Sequence, residues 1–150
     1  MDAKLNMSWP IENPVPDKDF LFINIHKRNL SKSNIPKATA FKNTPFKKNS
    51  TSLSSNWDKY ITAFECRQIL ATQKNNKGIC KIPDDFFIWK MNVGNIRLNI
   101  NPSQEVIHSP SIPNRAHCSI VGCKTDDEGV NNAEFRSNII ENGGWEIGPE

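Results

Sequence analysis

The residues best placed to do chemistry lie in one short run, His108-Ser-Pro-Ser-Ile-Pro-Asn114-Arg115-Ala-His117. An arginine offers a fork of donors to phosphate or carboxylate, an asparagine reads an amide or a base edge, and a histidine can donate or accept at either ring nitrogen. Pro110 and Pro113 stiffen the segment between the two histidines. A preorganised loop loses little entropy when it binds, so the run reads first as a binding loop. The blander account is that Asn114 and the histidines only tie down the loop's own backbone. Beyond it, Cys118-Ser-Ile-Val121 has the character of a strand. Alternation would put His117 and Ser119 on one face and Cys118 and Ile120 on the other.

Two catalytic patterns can be tested against these residues. His117-Cys-Ser119-Ile120 matches the His-x-Ser-apolar element of two-histidine phosphoesterases, where histidine does acid–base work and serine holds phosphate. That chemistry needs a second copy, and neither His26-Lys-Arg-Asn nor His108-Ser-Pro-Ser supplies one. An ADP-ribosyltransferase-like order also exists: His26 or Arg28, then Ser52 or Ser54, then Glu65. Glu65, however, stands three residues after Thr62 and is accounted for by a capping box. Four cysteines, Cys66, Cys80, Cys118 and Cys123, show no CxxC pair. They read as reduced thiols packed as small apolar residues. A zinc site from His108, His117, Cys118 and Cys123 is disfavoured because adjacent strand residues point to opposite faces. No metal and no cofactor is expected.

The other chemical feature is charge. Lys27, Arg28, Lys32, Lys37, Lys42, Lys47 and Lys48 fall in a stretch with no acidic residue between Asp19 and Asp58. Phe41 and Phe46 lie among them, a mixture suited to phosphates and stacked bases. A solvated loop has the same composition. The opposite sign gathers near the C-terminus, where Asp126, Asp127, Glu128, Glu134, Glu141, Glu146 and Glu150 face only Arg136. The formal net charge of +3 therefore conceals a basic half and an acidic end. A protein partner is expected, with nucleic acid a further partner through residues 27–48.

The elements that must position these residues follow from periodicity. Phe20-Leu-Phe-Ile-Asn-Ile-His26 is nearly all apolar and predicts a central strand. Phe86-Phe-Ile-Trp-Lys-Met-Asn92 predicts another, followed by a turn at Val93-Gly94-Asn95. Ile96, Leu98 and Ile100 alternate with polar residues, which predicts a hairpin partner over 95–101. Short strands are expected over 105–108 and 116–122. Thr62 and Glu65 begin a helix that runs to Asn75, and a last helix over 133–141 stops at Gly143-Gly144. Trp145 and Ile147 then pack back on the domain.

A chain of 150 residues suits one domain, yet 37% apolar residues and ten prolines imply long loops. The expected fold is α+β: a single domain over 20–150, with a mixed or antiparallel sheet and two helices, preceded by a Pro-rich extended arm over 1–19. Trp9 and Ile11 are candidates to anchor the arm. No apolar run approaches the ~20 residues of a membrane span, and no apolar leader is evident, so a cytoplasmic location is expected, with no membrane partner. The runs Phe20-Leu-Phe…His26…Ile35-Pro…Ala40-Phe41…Trp57-Asp-Lys-Tyr-Ile-Thr62…Glu65 and Val106-Ile-His108…Gly122 resemble a small uncharacterised group of bacterial proteins, from Phe20 to Gly122. No activity is assigned to that group, so the resemblance implies no mechanism. The functional expectation is a non-enzymatic binding or accessory component of a bacterial multiprotein system, with defence against mobile elements as one setting. It would use the basic surface and the His/Asn/Arg loop. The alternative is a small nucleotide-using or nucleic-acid-acting enzyme, such as an ADP-ribosyltransferase-like toxin.

Overall fold

The protein is described from a computed structural model covering residues 9–41, 44–45, 51–99, 104–122 and 130–149. Its strands are β1 (Phe20–His26), β2 (Thr44–Pro45), β3 (Thr51–Trp57), β4 (Phe86–Asn92), β5 (Glu105–His108), β6 (His117–Val121) and β7 (Gly143–Ile147). The α-helices among the described residues are α1 (Ala63–Gln68), α2 (Val93–Leu98) and α3 (Val130–Asn142). The long strands form one sheet in the order β5-β6-β3-β1-β4-β7, and every pairing is antiparallel. The class is α+β, as the sequence predicts, with an antiparallel rather than a mixed sheet and a third helix. No described helix is long and apolar enough to cross a membrane.

Alternation along the strands divides the sheet into two unlike faces. Leu21, Ile23 and Ile25 of β1, Trp89 and Met91 of β4, Leu53 and Trp57 of β3, and Cys118 and Ile120 of β6 share one face. Val93 and Ile96 of α2, Ile139 of α3, Phe41 and Val15 close over it. On the opposite face Phe22 and Ile88 are covered by Ala63 and Cys66 of α1. That cover lies over the β1–β4 side of the sheet. Beyond it, the same face of β3 and β6 carries Ser52, Ser54, Asn56, His117 and Ser119, a polar strip.

Two segments depart from the sequence reading. Residues 95–99 do not form a strand, and Val93-Gly94-Asn95 is not a hairpin turn; residues 100 and 101 of the expected strand lie outside the described residues. Val93–Leu98 is α2, capped by Asn92, whose side chain accepts a hydrogen bond from the Asn95 backbone N–H at 3.0 Å. Val93, Gly94 and Ile96 are buried and Leu98 is 75% exposed, so the helical rows decide the packing. Gly94 donates to the Asp17 carbonyl at 2.9 Å, and a Cβ there would meet that same oxygen at 3.1 Å. A side chain there would push the Asp17 backbone back by a few tenths of an ångström, so glycine suits this close approach. The second departure is β3, which lies in the middle of the sheet within a stretch that reads as a basic loop. Its core-facing positions are Leu53, Ser55 and Trp57, and Ser55 satisfies its buried hydroxyl by donating to the Cys118 carbonyl at 3.2 Å.

Other elements follow the sequence closely. The Thr62 hydroxyl accepts from the Glu65 N–H at 3.1 Å, and the Glu65 carboxylate accepts from the Thr62 N–H at 2.9 Å. Trp145 does pack back, edge-on to Trp89 with ring centroids 4.9 Å apart, within a strand added to the sheet edge. The arm crosses the domain: Val15 is fully buried, and Trp9 donates to the Ile112 carbonyl at 3.1 Å. Ile11 is 68% exposed.

Candidate functional site

The sheet is split at its centre. β1 and β3 are in register only at Leu21↔Trp57 and Phe22↔Asn56, although each strand has seven residues. The far end of β3 pairs with β2 instead, at Thr51 and Ser52. Since β6 holds the other edge of β3, β2 occupies the side on which β1 would otherwise lie. Between these two pairings a cleft of about 390 Å³ opens. Its floor comes from Ile23 and Asn24 of β1, Ser52 to Asn56 of β3, and His117 of β6. Leu70, Gln73, Lys81 and Phe86 line its other side, and Asn114 its rim.

The polar groups of the cleft differ in how far they are engaged. Asn114 donates from Nδ2 to Asn56 Oδ1 at 2.7 Å and accepts from the Ala116 N–H at 3.1 Å, so it fixes its loop to the sheet. His117 Nδ1 lies 2.9 Å from both the carbonyl and the hydroxyl oxygen of Ser109. A carbonyl oxygen only accepts, so this geometry assigns the ring proton to Nδ1. Nε2 has no partner among the described residues. Ser109 Oγ continues to Ser119 Oγ at 2.9 Å. Lys81 donates to Gln73 Oε1 at 3.1 Å with one of its three ammonium hydrogens. Asn24 stands apart: its Oδ1 is buried and meets no donor among the described residues. No aspartate or glutamate is among the described lining residues.

The four loop residues singled out in the sequence do not converge. His117 and Asn114 border the cleft, whereas His108 and Arg115 face the arm. His108 is 1% exposed; its Nδ1 accepts from the Glu12 N–H at 2.9 Å and its Nε2 donates to the Arg115 carbonyl at 2.7 Å. It packs against Trp57 and Tyr60. This is a neutral core histidine with both nitrogens occupied. The Arg115 guanidinium lies between the rings of Trp9, at 4.9 Å, and Tyr60, at 4.1 Å. Glu12 completes the cluster by hydrogen bonding to Lys59 and Tyr60, and those bonds hold its carboxyl below the ordinary value of 4.5.

Of the basic residues, Lys27 pairs with Asp85 at 2.9 Å, and the Arg28 guanidinium has no partner among the described residues. Arg28 lines a smaller hollow of about 200 Å³ beside the cleft, with His26, Asp85 and Lys81, which borders both hollows. Burial and the neighbouring Arg28 push the His26 imidazole below its usual 6.5. Lys42, Lys47 and Lys48 lie outside the described residues.

Glu65 is committed to the α1 cap and does not line the cleft, so it and His117 do not form one site. Cys66, Cys80 and Cys118 are free thiols. Burial pushes Cys66 and Cys118 up to about 12, which keeps both protonated and poor as nucleophiles or metal ligands. No metal-ligating cluster occurs among the described residues. Cys123 is outside them.

The sequence pointed to His117 and Asn114, and to Ser54 only within the ADP-ribosyltransferase-like order, but not to Asn24, Asn56, Gln73 or Lys81. The signal for Asn24 was present: it is the one polar residue inside Phe-Leu-Phe-Ile-Asn-Ile, on a strand otherwise fit for burial. Gln73 and Lys81 reach the cleft only through tertiary packing. No protein-family model matches the chain, and no curated protein or solved structure matches it.

Proposed function

We propose that the protein is a non-enzymatic binding component whose ligand site is the cleft between β1 and β3. The observation that carries this reading is the Asn24 amide oxygen, a buried acceptor on a central strand with no donor among the described residues. Leaving such a group unpaired costs about 1–3 kcal/mol, so its retention supports a role in contacting a ligand. The size and mixed lining of the cleft agree with small-molecule sites, which combine an apolar wall with a few fixed polar groups. In this reading the protein acts as an accessory factor, and a partner docks on the basic surface that begins at Lys27 and Arg28. The Arg28 guanidinium, without a partner among the described residues, supports that second surface.

The test is the substitution Asn24→Val. Valine removes the unpaired amide and favours a strand, so thermal stability should rise by about 1–2 kcal/mol. The same variant should lose response to solutes that protect the wild type in thermal melts. A variant that melts earlier than wild type would show that Asn24 is a structural residue, and the reading would fail.

A further inference from the structure

We propose that the ligand of the sheet cleft is a nucleoside monophosphate, an inference that rests on the binding reading above. A planar amide presents an acceptor and a donor side by side, and its natural complement is another planar edge with the reverse order, such as that of a nucleobase. Asn24 has such an amide, with its oxygen buried and without a donor among the described residues. Phe86 lies on the same face of the sheet, because Asn24 is opposite Ile88 and His26 is opposite Phe86. Diagonal neighbours of this kind are roughly 7–8 Å apart, which brings an aromatic ring close to the amide. A flat heteroaromatic ring satisfies both groups at once. A simple sugar or an aliphatic acid would satisfy only one.

The remainder of the lining fits the rest of a mononucleotide. Lys81 is the only Lys or Arg among the described lining residues of the cleft and no Asp or Glu is among them, so the cleft favours an anion. Two of its ammonium hydrogens are not used by Gln73 and can reach phosphate oxygens. His117 Nε2, which has no partner among the described residues, and the exposed Ser54 on the polar strip suit ribose hydroxyls. A volume of about 390 Å³ stands at the small end of ligand sites, which favours one nucleotide over a dinucleotide.

The test is calorimetric titration of the full chain with AMP, GMP, CMP and UMP, the four matching nucleosides, and inorganic phosphate. At least one monophosphate should bind saturably at one site per chain. Its nucleoside should bind about tenfold more weakly, since the charge-assisted contact to phosphate is lost. Lys81→Gln should lower affinity for the monophosphate by about tenfold and leave the nucleoside unchanged. Asn24→Val should weaken both, and Lys90→Gln, whose lysine pairs with Glu146 away from the cleft, should weaken neither. Equal affinity for nucleotide and nucleoside, or an unaltered Lys81→Gln variant, would overturn the assignment. If no monophosphate binds but other polar solutes shift the amide resonances of the cleft, the ligand class is wrong and the binding reading stands. If no solute perturbs the cleft, both fall.

Discussion

Ile120→Ala should lower the stability of this protein by about 2–5 kcal/mol, the cost of a cavity left by a large aliphatic side chain in a core. Ile120 is 1% exposed and is flanked on the same face by Leu53 of β3 and Val106 of β5. Little can collapse into the space, because both neighbours belong to paired strands. The adjacent face gives the control. His117 is half-buried, and its side-chain bonds among the described residues go to Ser109. His117→Ala should cost within about 1 kcal/mol, the worth of an ordinary hydrogen bond outside the core. In a domain of this size each kcal/mol shifts the melting midpoint by about 2–4 °C, so paired melts separate the two variants readily. Equal losses would mean that the two faces of β6 are assigned the wrong way round.

The second large effect belongs to His108, and it is structural. His108→Leu keeps an apolar body of similar size but removes both ring nitrogens. The Glu12 N–H and the Arg115 carbonyl would then lack their partners. Each unpaired group costs about 1–3 kcal/mol, and added apolar burial returns a part, so a net loss of about 2–4 kcal/mol is expected. The loss should be accompanied by release of the arm, since Glu12 is the link between His108, Lys59 and Tyr60. Limited proteolysis should therefore cut residues 9–16 faster in the variant than in wild type. A variant that melts and digests like wild type would remove His108 from the framework.

Local signals were legible in the sequence and non-local ones were not. The capping box of Thr62 and Glu65 involves residues three apart and needs no knowledge of the rest of the chain. The strands Phe20–His26 and Phe86–Asn92 are read from their apolar runs, because β1 has buried residues on both faces and Ile88, Trp89 and Met91 of β4 are buried. Thr51–Trp57 was hidden because one of its faces is the polar strip beside the cleft, and serine on an uncovered face looks like a loop. Val93–Leu98 is too short for a helical period to emerge, and the alternation of Ile96 with Leu98 mimicked a strand. Its cap at Asn92 and the close approach of Gly94 to Asp17 settle it as a helix, and the second depends on a residue 77 positions earlier.

The same division applies to the site. The compact His/Asn/Arg run was visible, but its members split between two sides of the sheet. Strand parity sends His117 to the cleft and His108 to the core, and the sequence alone does not show which face is covered. Asn24 carries a meaning only after β1 and β3 are seen to part, because an asparagine in a continuous sheet would have neighbours to satisfy it.

Amide chemical-shift mapping of the full chain against a panel of small polar solutes, nucleotides among them, tests the central claim most directly. The account predicts saturable shifts concentrated at Asn24, Ser54, Asn56, Lys81 and His117. Shifts confined to Lys27, Arg28 and the outer surface of residues 109–113, with the cleft silent, would contradict it.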